Sequence, residues 1–186
     1  MTNQKTIADD AARPLQPASW TETSGDVILR VRRAVLADAR SLAPRLREAD
    51  VQAVIAAGAT DPLSSLISGL GEAADAFTVA DGADTPIMMF GVVPHPFIHE
   101  TGLVWALACS QIDAHRRLLL SEAPKWIEAF HRKYPRLANY LDERNTPYRR
   151  WLSRVGFTFS EPVPGFGPGR LPFLPFERIQ NGGEHV

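Results

Sequence analysis

The apolar positions of this chain change period several times, and each change marks an element. Val27, Leu29 and Val31 recur every second residue, with Arg30 and Arg32 between them. That spacing predicts a strand with one apolar face and one solvated, basic face. Two or three helices are expected next. Pro44 suits the start of one, with Leu46, Val51, Val54 and Ile55 turned to the core and Gly58 at its end. Asp61-Pro62 suits the start of another, with Leu63, Leu66, Ile67 and Leu70 inward and Gly71 closing it. Residues 76–82 and 86–93 read as a hairpin that turns at Asp81-Gly82, with Met88 and Met89 as core filling.

Residues 100–159 carry the densest pattern: strand, helix, strand, helix, strand. Residues 102–110 are apolar and bulky, which predicts a strand buried on both faces. From about residue 114 to 133, Leu118, Leu119, Trp126, Ile127 and Phe130 can form one helical stripe, and Pro135 lies beyond its end. Residues 136–141 predict a second strand. Asn145 precedes Thr146-Pro147, a capping residue followed by proline in the first turn. The helix so begun carries Tyr148, Trp151, Leu152 and Val155 and stops at Gly156, ahead of a strand that starts at Phe157. Residues 161–175 are rich in proline and glycine. The last strand, near 171–179, contains Pro172 and Pro175, which predicts an edge position or irregular pairing.

The length of 186 residues suits one domain over 26–180, with 1–25 as a flexible arm and 181–186 as a flexible tail. Trp20 is the exception in the arm and is expected to dock, on its own domain or on a partner. Twenty basic residues against twenty-one acidic ones leave a net charge of −1, which predicts no nucleic-acid partner and no membrane surface. A single cysteine, Cys109, rules out an internal disulfide framework and fits a reducing compartment. No apolar run approaches the roughly 20 residues of a membrane helix. The N-terminus lacks the pattern of a secretory signal, so the cytoplasm of a host cell is the expected location. His95, His99 and Glu100 lie in a proline-broken stretch without the spacing that fixes two metal ligands, and no metal is expected. Gly165, Gly167 and Gly169 alternate but open no helix, so they make no phosphate loop.

Asn145, followed eleven residues later by Gly156 within Arg154-Val-Gly-Phe157, resembles the closing motif of the GCN5-related N-acetyltransferase (GNAT) superfamily. The order of elements resembles that family from Val27 to Ile179. The resemblance implies an α/β (α+β) fold in which about four helices flank a central mixed sheet of six to seven strands. It also implies acetyl-CoA as cofactor, held by a loop of the form Gln/Arg-x-x-Gly-x-Gly/Ala ahead of a helix. Here that loop reads Gln111-Ile-Asp-Ala114-His-Arg116: Gln111 is kept, but Ala114 and Arg116 stand where the family has small residues. A side chain obstructs the approach of a phosphate to the backbone, so the cofactor site reads as degenerate, with Arg116 as a substitute positive charge. The remaining cofactor contacts the family implies fall on Leu107, Ala108, Cys109, Ser110 and Asn145. The family's thiolate-protonating tyrosine corresponds to Leu152, which has no proton to give. Glu100 is the candidate general base.

Three tracts, Thr60-Asp-Pro-Leu-Ser-Ser-Leu66, Glu122-Ala-Pro-Lys-Trp126 and Arg149-Arg-Trp-Leu152, are similar to the acetyltransferase-like internal virion protein A family of short-tailed phages. That narrower resemblance implies a role in assembling internal head proteins, with phage structural or assembly proteins as partners and association with the virion. The alternative is an active acetyl-CoA-dependent N-acetyltransferase acting on an amine of a small molecule or protein.

Overall fold

The computed structural model describes residues 18–21 and 28–180. Among these, nine strands form one sheet in the order β1-β2-β3-β4-β5-β6-β9-β7, with β8 paired to β9. The strands are β1 (Ala18–Thr21), β2 (Ile28–Arg33), β3 (Asp75–Ala80), β4 (Pro86–Pro94), β5 (Thr101–Ala108), β6 (Arg136–Asp142), β7 (Thr158–Phe159), β8 (Val163–Phe166) and β9 (Leu171–Ile179). Only β5 and β6 are parallel neighbours. The helices are α1 (Leu36–Leu42), α2 (Glu48–Ala56), α3 (Pro62–Glu72), α4 (Arg116–His131) and α5 (Thr146–Arg154). The mixed sheet flanked by helices is the architecture expected, with two or three more strands and one more helix.

The arm differs from expectation where it is described. Residues 18–21, expected to belong to the flexible arm, pair antiparallel with β2, so β1 forms the edge of the sheet among the described residues. The rest of the arm, the side chain of Trp20 and the tail at 181–186 lie outside the described residues.

Local chemistry explains the helix ends. The Asp61 carboxylate accepts from Ser64 N–H at 2.9 Å, and Asp61 N–H donates to Ser64 Oγ at 3.2 Å, a reciprocal cap with Pro62 in the first turn. The Asn145 side chain accepts from Tyr148 N–H at 3.2 Å. Gly156, at φ +93°, ends α5 in a conformation that a β-carbon would strain.

The core is where the apolar stripes predicted it. Phe77 and Phe90 of the sheet stack at 5.6 Å, and Trp126 of α4 packs at 4.5 and 5.2 Å from them. Three expectations are corrected. Ile55 and Ile67 are exposed, because α2 and α3 press only part of their surface on the sheet. Residues 103–107 of β5 are half-buried, not sealed on both faces, because β6 turns away from them. Strand β9 is interior, between β6 and β7, despite its prolines. Pro175 O accepts from Ser160, in the gap between β7 and β8, and Pro172 O accepts from Glu143, just past the end of β6. An antiparallel residue directs its N and O to the same side, so each proline nitrogen faces a place with no ladder to complete.

Arg32 is likewise not simply solvated. Its guanidinium bonds Asp38 at 2.7 and 2.9 Å and Asp84 at 3.1 Å. Burial raises the pKa of Asp38, but Arg32, the Val35 N–H and the Thr78 hydroxyl more than offset it and hold the carboxyl below its ordinary range. A depressed carboxylate pKa contributes stability that is present above the unfolded value near 4 and lost as pH falls through the folded value. We therefore expect Asp38→Asn to lower the melting temperature at neutral pH and to narrow its gap from wild type below about pH 4. Thermal melts across that range check this.

Candidate functional site: an opening between β5 and β6

The two parallel strands share only three residue pairs, Thr101–Leu103 against Arg136–Ala138. Beyond them β5 continues with β4 as far as Ala108, and β6 continues with β9 as far as Asp142. The sheet therefore parts at its centre, and the exposed edge of β5 must find other partners. Asn139 supplies one, its Nδ2 donating to Val104 O at 2.8 Å. At the far end Ala108 O accepts from Arg47 N–H at 3.0 Å, and Ala108 N–H donates to Asp50 Oδ2 at 3.0 Å. Backbone direction alternates along a strand, so the N–H and C=O of Ala106 point into the same opening, where β6 offers no partner.

Two clefts meet at this opening. One, of about 440 Å³, lies between the start of α4 and α5 and is lined by Arg47, Arg116, Arg150 and Arg154. The other, of about 590 Å³, lies on the α2 and α3 side. Asp50, Ala106, Asn145 and Tyr148 line both. Asp50 is buried; Arg47 holds it at 2.8 Å, and burial pushes its pKa up. Tyr148 is stacked on Trp151, with ring centroids 5.5 Å apart and planes within 5°. Burial, and the nearby Asp50 charge after it, raise the pKa of the phenol, which stays protonated at neutral pH. Its hydroxyl makes no hydrogen bond among the described residues.

The residues expected from the sequence are only partly brought together. Ala108, Arg116 and Asn145 line the first cleft. Leu107 lines the second. Cys109 is buried, its N–H donating to Ile87 O at 3.0 Å and its Sγ 3.6 Å from Gln111 Oε1. Ser110, Gln111 and Ala114 are exposed on a 3-10 turn, Ser110–His115, that replaces an open phosphate loop. Its internal bonds, such as Ile112 N–H to Cys109 O at 3.2 Å, occupy backbone donors that an open loop would present. Arg116 pairs with Asp113 of that turn at 3.4 Å. Leu152 is buried in the core. Glu100 is not brought to the opening. It is exposed in the turn before β5, at φ +58°, about 20 Å along the strand from Ala106. In the same turn His95 Nδ1 accepts from the N–H groups of Phe97 and Ile98 at 3.1 and 3.0 Å, which gives that histidine a local role.

Sequence reading missed Asp50, Ala106, Tyr148, Arg150 and Arg154. A signal existed for the last pair: positions four apart on an amphipathic helix share a face. None existed for Asp50, whose importance comes from a strand 58 residues away.

The donor set of the first cleft fits an acyl-CoA. Arginines match diphosphate in charge and geometry, and a free strand edge at Ala106 matches an amide-bearing arm. No protein-family model matches the chain, and no curated protein matches it. Solved structures do. A GCN5-related N-acetyltransferase from Kribbella flavida aligns with a TM-score of 0.61 at 17% identity, covering 81% of this chain and 97% of that one. The ribosomal-protein-S18-alanine N-acetyltransferase from Escherichia coli aligns with 0.61 at 14%, covering 85% and 98%. The ribosomal-protein-S5-alanine acetyltransferase from Vibrio fischeri aligns with 0.58 at 15%, covering 88% and 97%. At such identities the likeness speaks for architecture alone: the chain has the fold of the GNAT acetyltransferases.

Proposed function

We propose that this chain is an acyl-CoA-dependent N-acyltransferase whose donor and acceptor approach the β5–β6 opening from opposite sides. The observation that carries the reading is the junction itself, where two clefts share Asp50, Ala106, Asn145 and Tyr148. Arg116, Arg150 and Arg154 would hold the phosphates from the donor side, a task the wound 3-10 turn is poorly built to do. Bound there, an acyl-CoA supplies an activated thioester carbonyl. The Ala106 N–H is placed to donate to the oxygen on which charge develops. Asp50, with its raised pKa, takes one proton from the acceptor ammonium and releases it to solvent. As the N–C bond forms and the C–S bond breaks, Tyr148 Oη gives its proton to the leaving sulfur and regains one from the acylated nitrogen. Glu100 has no part in this scheme.

The test is titration calorimetry with acetyl-CoA, followed by thiol release with a panel of amines. Micromolar binding and amine-dependent thiol release are expected, with Glu100→Gln turning over like wild type. No binding at millimolar acetyl-CoA would sink the proposal.

A second reading, assembly of internal phage head proteins on a borrowed fold, has its own supporting observations. Asp113 sits in the altered turn, and Phe97, 91% exposed, projects beside exposed Ile98 from the β4–β5 connection. In that reading the partners are phage structural or assembly proteins. Among the described residues no helix is long and apolar enough to cross a membrane.

A further inference from the structure

The parting of β5 from β6 happens at one rung. Their last paired residues are Leu103 and Ala138, and in that register the next ladder bond runs from Tyr140 N–H to Val104 O. That bond is not made. The side chain of Asn139 stands between the two groups instead. Its Oδ1 accepts from Tyr140 N–H at 2.8 Å, and its Nδ2 donates to Val104 O at 2.8 Å. One amide, carrying a donor and an acceptor, is spliced into the ladder where a direct bond belongs. Both backbone groups are satisfied, so the parting leaves neither of them orphaned.

A closed arrangement of the same strands is within reach. In the continued register, the rung after Val104 runs from Ala106 N–H to Tyr140 O. Strand β9 leaves Tyr140 O free for it. Tyr140 lies opposite Pro175, whose own oxygen turns away to Ser160, so the Tyr140 backbone groups face β5. If Asn139 were not interposed, β6 could zip onto β5 and take Ala106 N–H out of the opening. Asn139, Tyr140, Val104 and Ala106 all line the cleft on the α2 and α3 side, so closing these rungs would close that cleft at its floor.

We infer that Asn139 is a wedge, a positioning residue that holds β5 and β6 apart and keeps Ala106 N–H free for a ligand. It acts through the strand edge and not on the reacting atoms. The wedge follows from the ladder alone, whereas its effect on turnover rests on the N-acyltransferase reading. A residue that only tied two strands together would behave differently on removal. Its loss would lower stability and leave the opening as it is, whereas loss of a wedge lets new ladder bonds form.

The experiment is amide hydrogen exchange, read by NMR on the full chain, on Asn139→Ala and on Asn139→Gln, beside melting and calorimetry with acetyl-CoA. In the ligand-free wild type, Tyr140 N–H should be protected and Ala106 N–H should exchange freely. Protection of both overturns the inference, and this readout stands even if Asn139→Ala fails to fold. In Asn139→Ala, Ala106 N–H should exchange at least about tenfold more slowly, with the melting temperature held or raised. Acetyl-CoA should bind that variant about tenfold more weakly, because closure competes for the same strand edge. Asn139→Gln keeps the amide and should stay within about threefold of wild type in exchange and affinity. Unchanged Ala106 exchange in Asn139→Ala overturns the inference. Closure in Asn139→Ala, with a wild type that never binds acetyl-CoA, would leave the wedge standing and overturn the transferase reading. Wild-type turnover and affinity in Asn139→Ala would do the reverse.

Discussion

Tyr148→Phe is expected to lower kcat about a hundredfold while KM for both substrates stays within about threefold. The substitution removes one hydroxyl and keeps the ring, so the stack on Trp151 and the packing of α5 survive. That hydroxyl makes no hydrogen bond within the described protein, so its loss leaves no buried partner unsatisfied and the melting temperature should not move. A group that acts only as the sulfur leaves contributes to the transition state and not to either ground state, which is why kcat carries the loss. The variant also separates two positions that sequence alone confuses. Leu152, the position the sequence resemblance implied for a tyrosine, is buried in the core, whereas Tyr148, one helical turn earlier, opens on both clefts. Unchanged kcat in Tyr148→Phe would move the proton donor to water.

The double variant Arg150→Ala/Arg154→Ala is expected to weaken acetyl-CoA binding about a hundredfold. Each charge-assisted hydrogen bond is worth roughly 1.5–3 kcal/mol, and about 1.4 kcal/mol is a factor of ten. Both side chains are exposed, line the donor cleft and have no carboxylate partner among the described residues, so folding loses little. The salt dependence should fall with the affinity, since the lost contacts are ionic. Arg116 is already drawn toward Asp113 at 3.4 Å, and its single replacement should cost less. Affinity unaffected by the double change would return the phosphates to the 3-10 turn.

Much of the sheet was legible because its signals are local. A period of two set β2, a turn between apolar runs set β3 and β4, a bulky apolar run set β5, the Asp61 and Asn145 caps and the glycine at 156 set the ends of α3 and α5, and the apolar stripe of α4 set its buried face. The expected cofactor residues were legible only in part. Arg116 and Asn145 reach the donor cleft, while Gln111 and Ala114 lie on a turn whose winding no motif announced. Proline positions misled for β9, because a proline excludes a ladder bond only on the side its nitrogen faces.

The sequence by itself determined most of the order of elements from β2 to β9, the caps of α3 and α5 and the buried face of α4, since each depends on residues within a few positions of one another. Only the tertiary structure decided where chemistry is placed. The parting of β5 from β6 is a relation between strands more than 30 residues apart, and it leaves Ala106 unpaired on its β6 side among the described residues. That parting draws Asp50 of α2 to Ala108, brings Tyr148 to the junction and leaves Glu100 far away. Periodicity reports which face of an element is buried. It carries no information on which two buried edges fail to meet, and in this chain that failure creates the site.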